Sequence, residues 1–86
     1  NQVKSITFNL KGVPKNEQGA LKDEFTTYKD KVITLIYNED QESMVLVYKS
    51  IIPYSKILYI LNNHGVSSSA ILENEWFYEK QHLLLI

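Results

Sequence analysis

The chain has 86 residues, a formal net charge of −1, 44 % hydrophobic residues and six tyrosines. That is one folded domain, burying only roughly 60–65 % of its unfolded surface, with no room for a second domain or a deep cleft. It has no cysteine and all nine basic residues are lysine, which excludes disulfides, thiolate chemistry and guanidinium forks, and with them the usual routes to nucleic-acid binding.

Residues 3–10 read as the first strand, with Ile6, Phe8 and Leu10 alternating with Ser5, Thr7 and Asn9. Gly12 and Pro14 end it. Asn16 is a helix-cap candidate. Leu21, Phe25 and Tyr28 then fall at i, i+4 and i+7, predicting a helix over residues 17–28. Asp23 and Glu24, beside Lys22 and Lys29, read as its solvated outer face.

Residues 32–37 form a second strand with apolar groups on both faces. The polar turn 38–43 predicts a hairpin into a third strand over residues 44–49. The three acidic residues of that turn do not match an EF-hand loop, because no glycine bends the chain around an ion. The third strand is also apolar on both faces. One face must meet the helices; the other, either Val45 and Val47 or Met44, Leu46 and Tyr48, is left for solvent, a partner or a further chain segment.

Pro53 suits the first turn of a second helix, residues 54–64, with Tyr54, Ile57, Leu58 and Leu61 on one face. Gly65 suits a left-handed stop, and His64 reads as a cap at the negative helix end. Residues 66–72 read as a short last strand. Residues 73–86 read as an extension, either an extra strand or a short helix, carrying Trp76-Phe77-Tyr78 and closing on Leu83-Leu84-Leu85-Ile86. The chain starts on Asn1 rather than Met, as a processed product or an excised piece of a larger protein would, and no run of apolar residues is long enough to span a bilayer.

The order β-α-β-β-α-β predicts an α+β, ferredoxin-like sandwich over residues 1–72: a four-stranded antiparallel sheet with two helices on one face, followed by a C-terminal extension. With the strands placed, Val3-Lys4-Ser5-Ile6-Thr7-Phe8-Asn9-Leu10-Lys11-Gly12-Val13 resembles the opening of the heavy-metal-associated domains, the copper-chaperone and metal-ATPase modules. Ile57-Leu58-Tyr59-Ile60-Leu61-Asn62-Asn63-His64-Gly65-Val66 resembles their second helix. The resemblance implies that fold and, by analogy, a cytoplasmic setting. That family binds soft metals through Cys-x-x-Cys after the first strand, and here Lys15 and Gln18 stand at those two positions. An ammonium and a neutral amide do not select copper(I) or zinc.

The chain is also similar, over Ile6-Thr7-Phe8-Asn9-Leu10, to RNA-recognition motifs, whose third strand carries a basic residue, a glycine and stacking aromatics. Here that strand offers only Tyr48. Acylphosphatases share the topology but need an arginine, which is lacking. No Ser-His-Asp order or nucleophile elbow is visible. The expectation is a non-enzymatic binding or regulatory module without a cofactor. It acts through protein contacts or self-association, with Val45, Val47, Trp76, Phe77 and Tyr78 as its surface. One alternative is a metal-handling domain with a non-cysteine site built from Lys15, Gln18, His64 or His82. Another is a small-molecule-sensing regulatory domain of the same topology.

Overall fold

A computed structural model of the chain describes residues 2–77, with side chains over residues 2–72. The elements are β1 (Val3–Asn9), α1 (Lys15–Thr26), β2 (Val32–Asn38), β3 (Ser43–Lys49), α2 (Tyr54–Asn63), a 3-10 turn (Ser68–Ala70) and β4 (Ile71–Phe77). The strands form one antiparallel sheet in the order β2-β3-β1-β4. This is the ferredoxin-like arrangement expected from the element order.

The alternation in β1 sends Ile6 and Phe8 into the core. There they meet Met44, Leu46 and Tyr48 of β3, Leu21 and Phe25 of α1, and Ile57, Ile60 and Leu61 of α2. The open question of β3's register is thereby settled. Met44, Leu46 and Tyr48 face the helices, and Val45 and Val47 lie on the other side of the sheet. On α2 the expected face was drawn one residue off, since Ile60 is buried and Leu58 only half-buried. A helix face two to three residues wide includes Ile60 next to Ile57 and Leu61.

Among the boundaries that differ from the sequence expectation, three have a local cause. First, α1 starts at Lys15, not Glu17, and Pro14 rather than Asn16 occupies the cap position, without any side-chain cap bond. Its carbonyl accepts from the Gln18 N–H at 2.9 Å. Proline's fixed φ already suits a helix start, so Asn16 is displaced into the first turn. Second, residues 66–70 are not strand. The Ser67–Ser69 run closes a 3-10 turn, in which the Ala70 N–H donates to the Ser67 carbonyl at 2.9 Å. Third, β4 therefore begins at Ile71 and continues to Phe77. Glu73–Phe77, read from sequence as the start of an extension, belong to the last strand. Tyr78, His82 and the closing apolar quartet lie outside the described residues.

Two tight turns set the geometry around β1 and β3. Leu10 to Val13 is a four-residue turn closed by Val13 N–H to the Leu10 carbonyl at 3.0 Å, and its third position, Gly12, has φ +80°. In the β2–β3 hairpin, the Asn38 side-chain oxygen accepts the Gln41 N–H at 3.2 Å. Glu42 there holds φ +50°. It is kept there because its carbonyl accepts the Leu10 N–H at 2.7 Å, tying the hairpin to the end of β1. Left-handed backbone costs a residue with a Cβ about 1–2 kcal/mol. Glu42→Gly relieves that and pays a smaller flexibility penalty in the unfolded chain. The expected outcome is a gain of about 0.5–1 kcal/mol, read as a higher urea midpoint at unchanged slope.

Candidate functional site

Two places on this frame concentrate chemistry. The first joins the two helices. Leu61 to Val66 ends α2 in a Schellman motif: Val66 N–H donates to the Leu61 carbonyl at 2.9 Å and Gly65 N–H to the Asn62 carbonyl at 3.2 Å. Gly65 takes φ +85° to allow it. Leu61 and Val66 are both buried, completing the motif's apolar contact. The reversal holds His64 at the C-cap, facing α1. Its Nδ1 lies 2.7 Å from Glu17 Oε1 and its Nε2 2.6 Å from Glu24 Oε1. The imidazole is only 14 % exposed.

Glu17 and Glu24 are seven residues apart, two turns of α1, so both project from one stripe of the helix beside Leu21. The hydrogen bond to Glu24 and that to Glu17, with the charge of both carboxylates, raise the His64 pKa above its usual 6.5, against a lowering by burial. In its charged form the ring donates one N–H to each carboxylate. It then has no lone pair with which to take a proton from a substrate or to bind a metal. The cluster is a clamp between α1 and the end of α2.

His64 occupies the C-cap position expected from the sequence, but its ring bonds Glu17 and Glu24 rather than the carbonyls of the helix end. The solvated face expected at Asp23 and Glu24 holds only for Asp23, which is exposed; Glu24 is half-buried and engaged. Glu17 was missed. The available signal was its spacing, because Glu17, Leu21 and Glu24 follow the 4-then-3 step of the stripe next to the core.

The other candidate ligands in the loop after β1 are also placed. Gln18 Nε2 donates to the Val13 carbonyl at 2.8 Å, bracing the loop against the first turn of α1. Lys15 Nζ sits 5.9 Å from the Tyr37 ring centroid, with Lys22 Nζ at 5.4 Å from the same ring. Lys15, Gln18 and His64 are therefore engaged separately rather than converging on one point. Among the described residues, no group of three or more His, Cys, Asp or Glu side chains is placed to hold a metal ion. His82 lies outside them.

The second place is the sheet surface away from the helices. Of the expected contact residues there, Val47 is 1 % exposed and presents no surface, whereas Val45 is half-buried. Val45 pairs with Ile36 of β2 and Thr7 of β1. Ile36 is 49 % exposed, and Thr34 beside it is exposed. The side chains of Trp76 and Phe77 are not among those described; in the backbone register these residues pair with Ser5 and Lys4. The residues paired with Ile36 and Val45 or beside them on β1–β3, namely Thr7, Thr34 and Val47, carry no charge.

The fold defines the class: a small ferredoxin-like α+β domain. Among the described residues no helix is long and apolar enough to cross a membrane. No protein-family model matches the chain, and no curated protein is significantly similar to it.

Proposed function

We propose that the chain is a non-catalytic contact module of the heavy-metal-associated type without metal ligands, working through protein–protein contact, self-association included. The observation that carries this reading is the uncharged patch of Ile36, Val45 and Thr34 on the helix-free side of the sheet. Exposed apolar side chains grouped on a rigid sheet are a common basis of recognition. The occupied nitrogens of His64 and the braced Gln18 side chain support the same reading. So does the lack of arginine, which turns the surface toward proteins rather than phosphate backbones.

The test is a titration of the full chain with copper(I) and with zinc, followed by amide chemical shifts. The expected result is no binding tighter than roughly micromolar, since metal sites that function are usually far tighter. A tighter site, with shifts centred on Lys15, Gln18 and His64, would replace this reading with metal handling.

A further inference from the structure

We infer that two copies of the chain pair edge to edge through β2, antiparallel, forming one continuous eight-stranded sheet with all four helices on one side. This rests on the contact-module reading above and names its partner: a second copy.

Among the described strands β2 is an outer one, paired only with β3. Every second residue of an outer strand turns its N–H and C=O away from the sheet, where only water or another strand can satisfy them. Along residues 32–35 helix α1 stands off from that edge, and its Lys15 and Lys22 side chains reach β2 farther on, at Tyr37. An open groove of about 460 Å³, lined by Phe25, Lys29, Val32, Ile33 and Leu35 among others, separates its last turn from the strand.

Native edges are commonly protected by lysine, proline or bulges. From Val32 to Asn38 there is no charge and no proline. The irregularity that exists falls between Val32 and Thr34, leaving residues 34–38 in regular pairing geometry. Ile33 and Ile36 are 50 % and 49 % exposed.

Charge decides the occupant and its direction. The strand is preceded by Lys29-Asp30-Lys31 and followed by Glu39-Asp40, all exposed. Two copies laid antiparallel about Leu35 bring Lys31 of one strand to Glu39 of the other at both ends, while Asp30 meets Asp40 there. Laid parallel they would set like against like. Centring the pair on Leu35 places Thr34 against Ile36 of the other copy. Both are on the helix-free side, so the uncharged patch becomes continuous across the junction.

The experiment is sedimentation of the full chain over a range of concentrations at low salt. It compares wild type with Lys31→Glu, Glu39→Lys and the doubly exchanged chain, with circular dichroism verifying the fold of each. The wild type is expected to dimerise. Each single change sets like charges together at two symmetry-related places and should weaken the dimer by about tenfold. The double exchange should restore it. Glu39→Lys replaces a −1 group by a +1 group, taking the net charge from −1 to +1. Its magnitude is unchanged, so a loss there reports the local pairs and not general repulsion. A strict monomer at all concentrations overturns the inference. So does a dimer indifferent to both single changes; in that case self-association runs through another surface, and the contact-module reading stands while the edge pairing falls.

Discussion

Phe8→Ala should come close to unfolding the domain. Phe8 is 0 % exposed, on an interior strand, in backbone register with Met44 on one side and Ile71 on the other. Its ring stands under both helices in the single core cluster. Truncating a fully buried phenylalanine to alanine costs about 3–5 kcal/mol, from lost transfer energy and from the cavity left behind. A chain of this length has roughly 4–13 kcal/mol of stability in all. Urea unfolding followed by circular dichroism should show the midpoint falling by about a quarter or more at unchanged slope. Ile51→Ala, at a side chain exposed in the turn before α2, is the control and should stay within about 0.5 kcal/mol. A small loss at Phe8 would mean that the core does not close over β1 as described.

The second large effect is a pH dependence centred on the interhelical clamp. The His64 pKa is raised in the folded chain by Glu24 and Glu17. A group whose pKa is raised on folding binds its proton more tightly in the native state. It therefore stabilises fully below its unfolded value of about 6.5, and this contribution is lost as pH rises through the folded value. The stability of the wild type should decline on the alkaline side of about pH 6.5, whereas His64→Gln should be flat over that window. Below it, His64→Gln should cost about 1–2 kcal/mol, a charged hydrogen-bonded group discounted for the partial exposure of both carboxylates. A proton NMR titration of the imidazole measures the pKa directly. A value at or below that of a free histidine would remove the clamp from the account of stability. Glu24→Gln should bring the His64 titration down further than Glu17→Gln, since Glu24 provides the larger raising influence.

The clamp also bears on what the domain can do. Holding the end of α2 against α1 fixes the helical layer, so the free side of the sheet and the β2 edge are presented on a rigid support. Both ring nitrogens of His64 are engaged by carboxylates, and between Val32 and Asn38 the one titratable group is Tyr37.

Much of this was legible from local pattern. The period-two alternation in residues 3–10 located β1 and its buried side chains. The Asn-rich, glycine-terminated end of α2 marked its stop at Gly65, and the polar run 38–43 marked the hairpin. Element order then left few ways to join the pieces, because short connections and buried faces restrict topology. Ends were less legible: Pro14 outcompeted Asn16 as the start of α1, and three serines that alternate with nothing apolar folded as a 3-10 turn instead of a strand.

What the sequence determined by itself was therefore the list of elements, their order and one apolar stripe on each helix, since those depend on neighbours within a few residues along the chain. Tertiary structure alone decided the side of β3 that is covered, the burial of Val47, and the meeting of His64 with Glu17 and Glu24. These are contacts between residues up to 47 positions apart. Their geometry exists only once two helices pack on one sheet, and no periodicity within a single segment encodes the distance between a cap on one helix and a carboxylate on another.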